Sequence, residues 1–136
     1  MRIADVMTRD LPTIGPTGSI RDAAREMSRS KIRALPVCDG PQLVGIVTDW
    51  DVVRALATDG DPSSQPLADF MSAELVALPP DATFAEAAEV MAENRVHHLL
   101  VRDGDRLAGM VHLDVEWSQL SGAVGPPTAS FAVSIY

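Results

Sequence analysis

Apolar residues recur along this chain with two periods, and the whole pattern then recurs once more. Ile20, Ala23, Ala24 and Met27 fall at i, i+3, i+4 and i+7, and Phe84, Ala87, Ala88 and Met91 repeat the spacing. Each set predicts a helix with one buried stripe, near 20–29 and 84–93. The paired alanines let each helix lie close to a sheet. Leu35 and Val37 place a strand at 34–38, and Leu99 and Val101 place its counterpart at 98–102. Leu43, Gly45 and Val47 mark a further strand at 43–47, matched by Leu107, Gly109 and Val111 at 107–111. The offset is 64 throughout, and residues 4–56 and 68–120 align without a gap. A fixed internal period sets the fold problem before any local reading does.

The punctuation agrees with the periods. Thr13-Ile14 and Ala77-Leu78 read as short extended pieces ended by Gly15-Pro16 and Pro79-Pro80, since proline biases its predecessor away from helix. Ser19 or Thr17 caps the first helix, and Thr83 caps its counterpart with Glu86 completing a capping box. Asp39-Gly40 and Asp103-Gly104 are turn signals between strands. Short helices are expected at 49–57 and 113–120. The stretch 57–67, rich in Gly, Pro and Ser, reads as a connector. Beyond Gly122, Gly125 and Pro126-Pro127, the alternation of Phe131, Val133 and Ile135 leaves a docked strand or a disordered end equally open.

Each repeat therefore reads strand, helix, strand, strand, helix. The expected fold class is α/β (α+β): two β-α-β-β-α repeats packed sheet to sheet about a pseudo-two-fold axis, with a cleft between them. The expected division is repeat 1 over 1–56, a linker over 57–67, repeat 2 over 68–120 and a tail over 121–136.

Composition narrows the function classes. With 136 residues, 46% hydrophobic, the chain can bury a core. Aromatics make up 4% and the net charge is −8, with a pI near 4.6. That balance disfavours a phosphate-neutralising face for nucleic acid. One small phosphate ligand stays compatible with it, because distant charge is screened beyond about 8 Å. One cysteine, Cys38, permits no internal disulfide and fits a reducing cytosol. No run approaches the ~18 apolar residues of a membrane helix, and the first residues do not read as a signal peptide. The expected location is the cytoplasm.

The sharpest local feature is Gly45-Ile46-Val47-Thr48-Asp49-Trp50-Asp51. A threonine stands where a strand turns into a helix, and an aspartate follows one turn later. A helix N-terminus favours phosphate, and an ionised carboxylate suits two adjacent hydroxyls such as a ribose diol. Thr48 and Asp51 also read as a capping box that needs no ligand. The two readings are compatible.

The duplicated set resembles the CBS domain pair, or Bateman module. It is carried by Ala4-Asp5-Val6-Met7, by Ile32-Arg33-Ala34-Leu35-Pro36-Val37 and by Gly45-Ile46-Val47-Thr48 with Asp51, and it covers residues 2–120. The resemblance implies a regulatory module that binds AMP, ADP, ATP, S-adenosylmethionine or sometimes NAD(H), often as a homodimer. It implies phosphate at Thr48, ribose at Asp51, adenine against Ile46, and the opposite adenine wall from Leu75, Val76 and Val96. It also implies Arg33 and His97 at the phosphate, where a planar guanidinium and a titratable imidazole make chemical sense. A solvated Arg33 and a His97 packed between sheets are the alternatives.

The repeats differ where the chemistry would lie. His112 replaces Thr48 and Val115 replaces Asp51 at offset 64. Valine cannot accept a hydroxyl hydrogen bond, so one site is expected rather than two. Trp50 and Asp114 stand where the family often has a basic residue, which favours AMP over a polyphosphate.

Other constellations are weaker. His97, His98, His112, Asp114 and Cys38 are the only metal-ligand set, and adjacent strand histidines face opposite sides, so no metal is expected. Asp39 next to Cys38 is expected to raise its thiol pKa, which speaks against nucleophilic catalysis. Trp50 and Trp117 are expected in the core or at a dimer interface. The reading that results is a non-enzymatic sensor with no required cofactor, an adenine nucleotide or related small molecule as ligand, and an effector protein of unknown identity as output. No nucleic acid or membrane is expected as a partner. The alternative is an interaction protein acting through its dimer surface with non-functional nucleotide sites.

Overall fold

The structure is a computed structural model, described over residues 1–114 and 132–133. Its elements are α1 (Ile20–Ser30), β1 (Ala34–Asp39), β2 (Gln42–Thr48), α2 (Asp49–Leu56), β3 (Ala77–Leu78), α3 (Phe84–Asn94), β4 (His98–Asp103), β5 (Arg106–Asp114) and β6 (Ala132–Val133). Single 3-10 turns at Ile3–Asp5 and Leu67–Asp69 lie in the lead-in to each repeat.

The chain forms two compact units. One contains Leu11–Leu75 together with Asp105–Leu107; the other contains Met1–Asp10, Val76–Gly104 and the strand from Ala108 onward. The lead-in of the first repeat thus belongs to the unit built on the second repeat, and the lead-in of the second repeat belongs to the unit built on the first.

In the first-repeat unit, β1 and β2 form an antiparallel hairpin with Ala34 opposite Thr48 and Val37 opposite Gly45. Gly40 turns the hairpin at φ 60°, a left-handed conformation natural to glycine. Ile14 bridges Val37 in parallel, so the short extended piece completes this small sheet. Helix α1 lays Ile20, Ala23 and Met27 against Leu35, Val37 and Val47. Of the two expected caps Ser19 is the one used, and Asp22 makes it a box: the Ser19 hydroxyl accepts from the Asp22 amide, and Asp22 accepts from the Ser19 amide. Leu67, fully buried, packs into the same core with Phe70 and Met71 beside it.

The second-repeat unit repeats this plan. Ala77 and Leu78 pair in parallel with Leu100 and Val101, and β4 and β5 are hydrogen-bonded neighbours joined through Gly104 at φ 63°. Thr83 and Glu86 form the capping box of α3. Ala87, Ala88 and Met91 pack on Leu99, Val101 and Val111, and Ile3 completes that core. The Ile3 amide donates to the Ala82 carbonyl at 2.9 Å, and the Phe84 amide donates to the Met1 carbonyl at 2.9 Å.

Both first helices end alike. Lys31 and Arg95 take the left-handed conformation, at φ 56° and 52°, and the next amides, Ile32 and Val96, donate back to Met27 and Met91. This is a Schellman-type stop with an apolar residue following, though glycine is the usual occupant. The conformation costs a non-glycine residue about 1 kcal/mol.

One expected element differs. A helix over 113–120 requires Leu113 and Asp114 to be helical, but both are strand residues at the end of β5. The physical reason lies in the local sequence: His112 and Val115 replace the hydroxyl and carboxylate that cap α2. Leu113 and Asp114 instead pair antiparallel with Val133 and Ala132 of β6, so this much of the tail is a docked strand. The rest of that expected helix, with Val115 and Trp117, and the remaining tail positions lie outside the described residues.

Candidate functional site

The turn from β2 into α2 carries the chemistry. Gly45 opens the inner half of β2, and the chain leaves the sheet at Thr48, whose backbone is extended (φ −108°, ψ 167°). Thr48 is the N-cap of α2 and Asp51 the third helical residue, so the side chains meet across the first turn. The Thr48 amide donates to Asp51 Oδ2 at 2.8 Å, and the Thr48 hydroxyl donates to the same oxygen at 3.1 Å. The Asp51 amide donates back to Thr48 Oγ1 at 3.4 Å. The capping reading of this pair is therefore realised.

Asp51 is 9% exposed and is the only buried charged residue among those described. A buried carboxylate must be paired or hydrogen-bonded. Its second oxygen, Oδ1, accepts from Arg54 Nη2 at 2.9 Å. The same nitrogen donates to the Phe70 carbonyl at 3.2 Å, and the guanidinium lies 6.0 Å from the centre of the Phe70 ring, at the outer limit of a cation–π contact. Sequence reasoning missed Arg54. The available signal was its i, i+3 spacing from Asp51, which puts opposite charges on one helix face.

Three other expected residues share this unit. Arg33 is exposed and ends the segment before β1; its carbonyl accepts from the Asp49 amide at 2.9 Å. That bond holds Arg33 against the first residue of α2, beside Thr48. Ile46 is half-buried and exchanges both backbone hydrogen bonds with Ser72, at 3.0 and 2.9 Å. Leu75 is half-buried at the end of this unit.

Val76, Val96 and His97 belong to the other unit. Val76 and Val96 pack against the core around Met91 and Leu99. The exposed His97 accepts the Leu113 amide on its carbonyl at 2.9 Å, matching the Arg33–Asp49 bond at offset 64. His97 Nδ1 lies 3.3 Å from the Leu113 carbonyl oxygen, a contact that requires the proton on Nδ1. His98 and His112 place their ring centres 4.7 Å apart. No group of three or more His, Cys, Asp or Glu positioned for a metal occurs among the described residues.

Two expectations about nearby residues change. Trp50 is 65% exposed, so it is not a core residue: α2 turns that face outward, with Val53 and Leu56 along the same side. The Cys38 thiol is pushed up, as expected, but burial is the cause, and the Asp39 charge is not. An open cleft of about 270 Å³ beside α1, lined by Thr13, Ile14, Asp22, Arg25, Glu26 and Arg29, includes none of the expected site residues.

Comparison with known proteins agrees with the duplication. The family model of the CBS domain matches twice, at residues 3–58 and 67–114. The CBS domain-containing protein YhcV of Bacillus subtilis is 31% identical over 120 residues, covering 88% of this chain and 86% of YhcV. Arabinose 5-phosphate isomerase KdsD of Yersinia pestis is 34% identical over 116 residues, covering 83% of this chain but 35% of the isomerase. The chain thus spans about a third of that relative's length. Among solved structures, the CBS domain pair of protein MJ0100 in complex with 5-methylthioadenosine and S-adenosyl-L-methionine aligns with a TM-score of 0.75 at 25% identity, over 82% of this chain and 89% of its own. CBSX2 in complex with AMP aligns with a TM-score of 0.71 at 25% identity, over 82% of this chain and 89% of its own.

Proposed function

This chain belongs to the CBS domain family, and on that premise we propose that it is a regulatory module that takes an adenosine-containing ligand, AMP first, at one site built on Thr48 and Asp51. Its output passes to a partner protein, and no catalytic step is assigned to it. The observation that carries the reading is the Thr48–Asp51 pair at the start of α2, supported by two structurally similar proteins solved with AMP and with S-adenosylmethionine.

The pair has room for such a ligand in acceptor terms. A carboxylate offers about four lone-pair positions, and Asp51 spends three, on the Thr48 amide, the Thr48 hydroxyl and Arg54. If the Thr48 hydroxyl swings to donate to a phosphate, a position on Oδ2 is released, and a ribose diol then has two acceptors. The exposed Arg33, fixed beside Asp49, supplies a nearby cation for the phosphate. Within this unit, Ile46 and Leu75 would line the base. ADP, ATP and S-adenosylmethionine are the next candidates.

The module acts as a homodimer in this reading. Trp50, Val53 and Leu56 are 65%, 51% and 57% exposed along one side of α2, an apolar strip suited to a second copy of this chain or to the effector. Our reading places it in the cytoplasm: the single cysteine, Cys38, is compatible with a reducing compartment, and no helix among the described residues is long and apolar enough to cross a membrane.

Calorimetry and thermal shift with AMP, ADP, ATP, S-adenosylmethionine and NAD(H) test the proposal. A ligand at 100 times its Kd adds about 2.7 kcal/mol, a rise in Tm of several degrees. Asp51→Ala should abolish that rise, while Val115→Asp should be unnecessary for it. Absence of any shift or heat at millimolar ligand overturns the reading. A second reading, an interaction protein without a ligand, is favoured by the fact that Thr48 and Arg54 already satisfy Asp51; it predicts that outcome.

A further inference from the structure

Arg54 links the head of α2 to the lead-in of the second repeat by side-chain hydrogen bonds, across 16 positions to Phe70. One end of the link is Asp51 Oδ1, and the other is the Phe70 carbonyl in the lead-in of the second repeat. Both bonds come from a single terminal nitrogen, at 2.9 and 3.2 Å, so a shift of the guanidinium toward one acceptor weakens its bond to the other. Arg54 is half-exposed, whereas the Asp51 side chain is 12% exposed, so the cation is the less enclosed member of the pair. Immediately after Phe70 come Met71, which packs over Gly45, and Ser72, whose amide donates to the Ile46 carbonyl at 2.9 Å. The carboxylate at the head of α2 is therefore connected, through one side chain, to the strap that crosses β2 at Ile46.

The sequence gives the matching strap no equivalent pair of residues. At offset 64, Val115 and Ser118 stand where Asp51 and Arg54 stand, and neither can supply the carboxylate or the guanidinium. Yet the first lead-in crosses its glycine strand in the same way, with the Thr8 amide donating to the Met110 carbonyl at 2.9 Å. The chain thus contains its own control: two equivalent straps, one beside the Asp51–Arg54 pair and one with Val115 and Ser118 at the matching sequence positions.

We propose that Arg54 is a positioning residue that transmits the state of the Asp51 carboxylate to the strap at 70–72. Loss or sharing of the Asp51 charge releases Arg54 and loosens the Ser72–Ile46 pairing, while the Thr8–Met110 pairing is unaffected. The tie itself needs no ligand; its use as the first step of signalling rests on the nucleotide reading given above.

Site-resolved amide hydrogen exchange on the full chain decides this. Arg54→Gln and Asp51→Asn should each speed exchange at Ser72 by about threefold to tenfold, as expected for a half-exposed, charge-assisted contact. The double variant should show no further gain, and Thr8 should exchange at its original rate in all three. Arg54→Lys, which keeps the charge but not the fork, should restore the Ser72 rate only in part. Equal acceleration at Thr8 and Ser72, or additive effects in the double variant, overturns the proposal. Saturating AMP should speed Ser72 exchange in the original chain and leave Arg54→Gln unchanged. AMP that binds without moving the Ser72 rate overturns the coupling. AMP that fails to bind overturns the nucleotide reading alone, and the ligand-free comparison still decides the tie.

Discussion

Met71 lies directly over Gly45: a Cβ added to that glycine would stand 2.7 Å from the Met71 sulfur and 3.1 Å from the Ser72 carbonyl oxygen. At offset 64 the relationship returns, with Gly109 facing the Met7 sulfur at 2.7 Å and the Thr8 carbonyl oxygen at 2.8 Å. Each strand gives up a side chain so that a backbone segment can cross it and pair with the residue that follows. The repeated glycines and the repeated Ala-Asp-x-Met lead-ins are thus two sides of one contact.

Alanine at these glycines should destabilise the fold unequally. Gly109→Ala meets backbone at 2.8 Å and should cost more than Gly45→Ala, whose shortest clash is with the flexible Met71 side chain; both fall in the ~1–3 kcal/mol range of overpacking. Chemical denaturation of the two variants checks the order. Met71→Ala combined with Gly45→Ala should cost less than the two single losses added together, because the shortened side chain makes room.

Removing the hydroxyl that caps α2 has a defined cost. Thr48→Ala should lose about 1 kcal/mol of stability, and Thr48→Ser should recover most of it. If Thr48 also donates to phosphate, Thr48→Ala weakens AMP binding in calorimetry beyond what its Tm change accounts for. A stability loss with unaltered AMP affinity would confine Thr48 to capping.

Asp22 should give the fold an acid-sensitive component. The Ser19 amide, and then the Ser19 hydroxyl, hold its carboxyl below the ordinary aspartate value. A group whose folded pKa is depressed stabilises the fold above its unfolded pKa, and that contribution is lost as the pH falls through the folded pKa. Asp22→Asn should therefore flatten the stability profile at and below the ordinary aspartate range, leaving its slope near neutrality unchanged. Denaturation midpoints across that range provide the measurement; an unchanged acid slope would count against the contribution.

The apolar strip on α2 should govern association. Val53→Glu or Leu56→Glu places a charge on an exposed apolar side chain and should shift a dimer to monomer in analytical ultracentrifugation, with little change in the monomer's fold. A monomeric original chain, or a dimer indifferent to both changes, removes α2 as the interface.

The sequence carried the local architecture well because its signals were local. Helical spacing at Ile20–Met27, capping at Ser19 and Thr83, and glycine turns at Gly40 and Gly104 each act within a few residues, and each is where the periodicity puts it. Lys31 and Arg95 escaped notice because a left-handed stop without glycine leaves no compositional mark. Leu113 and Asp114 looked helical by symmetry with Asp49 and Trp50, but the missing cap and the pairing with β6 made them strand. At the site, the Thr48–Asp51 contact was legible because it spans one turn. The Arg54–Phe70 bond was not, since it spans 16 positions and joins a side chain to a backbone carbonyl that any residue could provide.

The traded lead-ins bear on how such a chain can be cut and inherited. A break anywhere in 57–66 strips both halves at once: the first loses Leu67 and Met71 from its core, and the second loses Ile3 and Met7. Neither fragment is a smaller copy of the whole, and each would expose the glycine strand that its sister had sheltered. Recombination that transplants one repeat delivers an unfinished piece, so the portable genetic unit is the pair.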